Sequence, residues 1–330
     1  MAPDAIPLPR ERERTERGGR GDVSLTARRP ALDAARGVAL VAMAVYHGCW
    51  DLTFHGLASF DLLGDPLWLT ARTLILSSFL LLAGVSLVLA TGGGLDAKRF
   101  LSRLARLAAA AGAVSAASYI LFPDSPIFFG VLHHMAAASV IGLAFVRLPA
   151  ALTLAAAVAA VLAGEHLAVP AFDSPWLRWI GLTTVPPNSN DFVPLLPWIG
   201  GVLAGIGLAR LWPGIGTGPS GPNLLTRALA WAGRHSLAVY LIHQPLLFGL
   251  FWLVAQGVGM DTPQARNFHA SCVASCTQTG AEAGLCDSNC LCVRTELTKA
   301  GLWDRFIANR LDDQGRRRVG DAVLACGPQR

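Results

Sequence analysis

Residues 32–51 read LDAARGVALVAMAVYHGCWD. The segment is apolar enough to cross a bilayer, yet it carries Asp33, Arg36, His47 and Asp51 at spacings of three, eleven and four. At about 3.6 residues per turn these positions share one helix face, with His47 and Asp51 one above the other. Ionisable side chains inside a span are costly and persist where they face a bundle interior or a water-filled cavity. The stripe therefore reads as a functional face, and the helix as one span of a polytopic membrane protein.

The rest of the 330-residue chain agrees. Hydrophobic residues make up 53% of it and charged residues 15%, and its mean hydropathy is +0.46. Windows near the roughly 20 residues that a crossing helix needs lie at 32–52, 67–90, 104–122, 128–146, 150–167, 193–211 and 229–256. The expected fold is an all-α transmembrane bundle of about seven spans over residues 29–257. A basic leader, residues 1–28, rich in Arg and Gly and without an apolar run, is expected to be disordered. No secretory signal pattern precedes the first window. Residues 213–222 (PGIGTGPSGP) read as a linker, and 183–197 (TTVPPNSNDFVPLLP) as a proline-broken lid or acceptor-binding loop. Residues 262–330 are expected to form a small helical tail, with an amphipathic helix at 295–311.

Lys and Arg set the expected orientation. Arg10, Arg12, Arg14, Arg17, Arg20, Arg28 and Arg29 precede the first window; Lys98, Arg99, Arg103 and Arg106 follow the second. Arg147, Arg210, Arg227 and Arg234 fall on the same side, whereas the alternate loops hold only Arg178. The positive-inside rule then places the N-terminus in the cytoplasm and, after seven spans of an inner (plasma) membrane, the tail outside. The net charge of +5 sits largely at these span ends and calls for no nucleic acid.

Cysteine usage points the same way. Cys272, Cys276, Cys286, Cys290, Cys292 and Cys326 crowd the tail, an even set that reads as a disulfide framework in an oxidising compartment. The zinc reading of the paired C-x3-C spacings lacks a histidine in register, and no metal is expected. Cys272 and Cys276 lie one turn apart on one helix, Cys286 and Cys290 on the next, with Gly280 and Gly284 between them. Antiparallel packing of that hairpin favours Cys276–Cys286 and Cys272–Cys290, leaving Cys292 for Cys326, a preference among the connectivities that six cysteines allow. Cys49, alone in the first window, reads as a small packing residue.

The polar residues of the spans are the candidates for chemistry. His47 lies 14 residues beyond Asp33, about 21 Å along the axis, with Asp51 placed to orient its ring as a general base. His133 and His134, in FFGVLHHM, and His243 and Gln244, in YLIHQP, are candidates for the acceptor site. Adjacent helical residues point about 100° apart, so at most one of the first two acts. Pro245 frees a backbone carbonyl beside the second pair. Arg99, Arg103 and Arg106 present cations suited to phosphates. Each cluster also has a structural reading, as interhelical hydrogen bonding for the histidines and as topology signal for the arginines.

Four stretches occur in order: LDAARGVALVAMAVYHGCWD, GVLHHMAAASVIGL, FVPLLPWIGGVLAGIGLA and LAWAGRHSLAVYLIHQPLL. Together they resemble the heparan-α-glucosaminide N-acetyltransferase catalytic-domain family of transmembrane acyltransferases, over roughly residues 27–256. The resemblance implies acyl-CoA bound from the cytoplasm and an acceptor sugar acylated on the far side; acetyl-CoA is the expected donor. The resemblance makes His47 the catalytic candidate, with Asp51 beside it. It places Arg103 and Arg106 on coenzyme A phosphates; Asp33, Arg36 and Arg99 are further acyl-CoA-binding candidates from the residues themselves. The cysteine-rich tail is no part of the pattern, and with only seven spans and no luminal domain expected, heparan itself is not the expected substrate.

The expected activity is therefore acyl transfer, of acetyl above all, from acyl-CoA to an amine or hydroxyl of an envelope glycan. Direct transfer through a His47 base and an acyl-His intermediate are both open. Partners are acyl-CoA, the glycan or another small acceptor, and membrane lipid, with a homo-oligomer left open. One rival reading is a haem-binding electron carrier ligated by His47, His133 or His134, and His243, which a Soret band would reveal. Another is a transporter using the stripe as a relay, for which no internal repeat is visible.

Overall fold

The computed structural model describes residues 29–217, 223–307 and 309–327. The leader at 1–28 and part of the 213–222 linker lie outside them. Among the described residues the fold is all helical, in the order α1 (Pro30–Phe54), α2 (Pro66–Thr91), α3 (Ala97–Leu121), α4 (Val131–Gly142), α5 (Ala150–His166), α6 (Ile199–Leu211), α7 (Leu224–Arg234), α8 (Ser236–Gly257), α9 (Pro263–Gln278), α10 (Ala283–Lys299), α11 (Trp303–Ile307) and α12 (Asp313–Cys326).

Four of these, α1, α2, α3 and α8, are long and apolar enough to cross a membrane; α4, α5 and α6 are apolar but shorter. The shortfall has local causes. The window at 193–211 becomes helical only at Ile199, because Pro194 and Pro197 lack the N–H groups a helix needs. The window at 229–256 is not one element: it breaks at His235 into α7 and α8. The amphipathic helix expected at 295–311 is likewise divided, α10 ending before Gly301, whose φ of 66° turns the chain out of the helix.

The chain forms two compact units, with α1 contributing to both: the first takes α1 up to Ala39 and residues Leu76–Ser236, the second Leu40–Ile75 and Leu237–Arg330. The cysteine-rich tail thus shares a unit with α8 and the second half of α1.

In the first unit, Leu80 of α2 and Val202, Leu203 and Ile206 of α6 form the buried centre, with Ala138 and Ala157 from α4 and α5. Close approach of backbones is bought with glycine. Gly37 of α1 faces the Leu229 carbonyl and Gly233 of α7 faces that of Asp33, so a Cβ at either position would collide with the facing chain.

In the second unit the tail is an antiparallel α9–α10 hairpin closed by Cys272–Cys290 and Cys276–Cys286, with Cys292–Cys326 drawing α12 onto α10. Its small core holds Val293, Leu297 and Leu302 under Phe268, Trp303 and Phe306. Arg294 pairs with both carboxylate oxygens of Asp261 at 2.5 and 2.6 Å and stacks over the Trp303 ring. Arg266 of α9 donates to the backbone oxygens of Phe54 and His55. A guanidinium thereby binds carbonyls at the C-terminal end of α1, where a cation is favoured.

Candidate active site

Neighbouring residues of α8 reach two positions of α1 that lie one turn apart. The His243 ring stands 5.3 Å from the His47 ring, centroid to centroid, in an edge-on arrangement. The Gln244 amide Nε2 donates to Asp51 Oδ1 at 3.0 Å. Pro245 follows directly inside α8. It removes one rung of the helix ladder and leaves a carbonyl of the preceding turn free.

Asp51 has no exposed surface. Its second oxygen, Oδ2, is buried without a hydrogen-bond partner among the described residues, as are Gln244 Oε1 and His243 Nε2. His243 Nδ1 lies 2.7 Å from the Tyr240 carbonyl, which can only accept, so Nδ1 donates and Nε2 of the neutral ring is an acceptor. Three buried polar atoms of this cluster thus stand without hydrogen-bond partners among the described residues, which is rare in a packed interior.

No hydrogen bond joins Asp51 to His47 among the described residues, although the two share a face. Asp51 has a short side chain, and its carboxylate is taken up by the Gln244 donor on the neighbouring helix. His47 is set by ring contact with His243.

The other predicted residues fall in the first unit. Arg36 forms an ion pair with Asp33 at 2.5 Å and donates to Ser86 Oγ of α2 at 2.7 Å. That pairing holds Arg36 in place and offsets its charge. Arg103 of α3 feels the like charges of Arg36 and Arg106, and it borders a small cleft with Leu87, Phe100 and Ser139. Arg99 instead pairs with Asp96, the residue that caps α3, at the exposed start of the helix.

The two histidines of α4 divide as their 100° separation requires. His133 has both ring nitrogens engaged: Nδ1 accepts from the Gly130 N–H, and Nε2 faces Ser115 Oγ, each at 3.3 Å. Because the Ser115 hydroxyl donates to Ile127 O, the histidine is the donor of that second contact. His133 therefore serves the start of α4. His134 is fully buried, pairs through Nδ1 with the Pro194 carbonyl at 3.1 Å, and leaves Nε2 unpartnered among the described residues.

Further polar groups went unnoticed in the sequence. His55 lies four residues beyond Asp51, buried with its ring against Phe54 and Phe248. Burial pushes its imidazole below the ordinary value. The spacing that linked His47 to Asp51 would have found it. Asp191, in the proline-broken loop, accepts from the Val131 N–H at 3.0 Å and so caps α4. Burial raises its carboxyl above the usual range, with the Val131 bond acting the other way. No local pattern flagged it, since its partner lies 60 residues away.

Apolar helices long enough to span a bilayer, with half-buried histidine and amide groups facing a buried carboxyl, mark a helical membrane protein with a polar cluster between two of its helices. Its family is given by comparison. The family described as heparan-alpha-glucosaminide N-acetyltransferase, catalytic, matches residues 28–245, and the chain belongs to it. Membership implies transferase activity in a membrane setting. The match ends at Pro245, so α9–α12 lie beyond it. No curated protein and no solved structure matches the chain.

Proposed function

We propose that this protein transfers an acetyl group from acetyl-CoA to an amine or hydroxyl of an extracytoplasmic glycan, with His47 as the general base. The observation that carries this reading is the half-buried cluster of His47, Asp51, His243 and Gln244, in which buried atoms of the last three, unpartnered among the described residues, suit an acceptor rich in N–H and O–H groups. His47 takes the proton of the attacking group as its lone pair adds to the thioester carbonyl. The tetrahedral adduct then collapses, the carbon–sulfur bond breaks, and the departing thiolate takes the proton from the imidazolium. Asp51, with one oxygen free, favours the charged form of His47 through space rather than through a hydrogen bond.

On the donor side, Arg103 and Arg106 supply the phosphate-binding charge, supported by Arg36 held between Asp33 and Ser86. The N-terminus is assigned to the cytoplasm and the disulfide-closed tail to the outside, in keeping with the charge bias of the loops.

The test is transfer by the purified protein in proteoliposomes. Thiol release from acetyl-CoA, dependent on an amino sugar or polysaccharide acceptor, is the expected result. A folded protein that releases no thiol with any amine- or hydroxyl-bearing glycan would rule the reading out.

A further inference from the structure

Helix α7 has three distinct faces. Thr226, Leu229, Ala230 and Gly233 turn inward, and Gly233 and Leu229 meet the backbone of α1 at Asp33 and Gly37. On the opposite side Leu224 is 81% exposed, Leu225 67% and Trp231 55%. At 100° per residue, Trp231, Leu224, Ala228, Ala232 and Leu225 form one continuous apolar arc of about 120°. Arg227 and Arg234, both exposed, lie side by side along one edge of that arc.

Chain connectivity says where such a helix sits. Only His235 separates α7 from α8. The 22 residues of α8 span about 33 Å, close to the roughly 30 Å of a hydrocarbon core. Its first residue, Ser236, therefore belongs at a membrane boundary, and α7 runs from that boundary. An apolar arc flanked by arginines at that level has the make-up of an interfacial helix, its apolar side at the acyl boundary and its guanidinium groups among headgroups.

We propose that α7 is an anionic-phospholipid docking surface. Arg227 and Arg234 hold lipid phosphates, and Trp231, Leu224 and Leu225 insert at the level of the upper acyl chain. The occupant is a bilayer, because the exposed arc is apolar and a free phosphate would leave it in water. Through Gly233 and Gly37 the docked helix would brace the start of α1.

The full chain in nanodiscs tests this in two ways. Quenching by lipids brominated at defined depths is measured for the wild type and for Trp231→Phe, and the difference isolates Trp231 among the nine tryptophans. Quenching strongest for bromines near the headgroup is expected. Quenching by aqueous acrylamide without any by bromolipid overturns the proposal. Second, the melting temperature is compared in phosphatidylcholine and in phosphatidylglycerol nanodiscs. The gain from phosphatidylglycerol should vanish in the Arg227→Gln/Arg234→Gln double variant, each arginine contributing about fivefold to anionic-lipid affinity. A gain that survives both substitutions, or that millimolar inorganic phosphate reproduces in phosphatidylcholine, overturns it. Should the double variant fail to fold, the Trp231 depth measurement on the folded wild type still decides.

Discussion

Gln244 donates its side-chain amide to Asp51 across 193 residues of sequence, at 3.0 Å. The bond ties α8 to the turn of α1 that follows His47. It supplies the only hydrogen-bond partner that the Asp51 carboxyl has among the described residues. Replacing Gln244 with Ala removes that donor from a fully buried group. Leaving a buried polar group without its partner costs about 1–3 kcal/mol, so kcat should fall roughly fivefold or more. Turnover of a variant whose melting temperature is preserved checks it, and undiminished kcat would mean that the pair plays no part in transfer.

His47→Ala should abolish acyl transfer in a protein that still inserts and folds. Asp51→Asn should do less, about 10- to 100-fold, because it removes charge near the ring but no proton acceptor. Initial rates with acetyl-CoA separate the two. An alanine variant that kept most of its turnover would move the base elsewhere, with His243 the next candidate.

Arg103 and Arg106 are to be replaced together by Ala. Each lost charge-assisted contact costs about 1.5–3 kcal/mol, so coenzyme A affinity should drop tenfold or more by calorimetry. Arg99→Ala should leave the affinity nearly unchanged, since Arg99 is engaged with Asp96 at the exposed end of α3. Equal losses from both variants would contradict this division of roles.

The tail should be acid-sensitive through Asp261. Its side-chain hydrogen bonds from Arg294, assisted by that residue's charge, hold its carboxyl below the usual range. A depressed folded-state value contributes stability above the unfolded value, near pH 4, and that contribution is lost as pH falls through the folded value. Melting of the tail followed at pH 6 and pH 3 should show a smaller difference in Asp261→Asn than in the wild type. An identical pH response in the two proteins would remove Asp261 from the account.

The three disulfides should differ in worth according to the loops they close. Sequence separations are 34 for Cys292–Cys326 and 10 for Cys276–Cys286. Loop-closure entropy then makes the former about 1 kcal/mol more stabilising than the latter. Double Ser variants compared by urea unfolding would reveal the order, and the reverse order would point to native-state packing as the governing factor.

Much of this protein is legible in its sequence because the physics is local. Hydrophobic runs mark the apolar helices, a period of 3.6 puts Asp33, Arg36, His47 and Asp51 on one face, and cysteines one turn apart on two short helices limit which can meet. These signals depend on residues within a few turns of one another. Where the expectations needed adjustment, the competing signal was also short-range. Pro194 and Pro197 shorten α6, His235 separates α7 from α8, and Gly301 ends α10.

Tertiary structure decided who meets whom. Periodicity placed Asp51 beside His47, but the facing helix supplied a better donor in Gln244, and a buried carboxyl takes the donor that reaches it. The same holds for Asp191 on the start of α4 and for Arg266 on the carbonyls of Phe54 and His55. Each joins a residue to a backbone group 60 or more positions away. Hydrogen bonds of that kind satisfy buried groups wherever the fold brings a partner, and sequence spacing carries no record of them. The sequence by itself determined which helices are apolar and which faces are polar; only the packed structure determined which polar atoms find partners among the described residues.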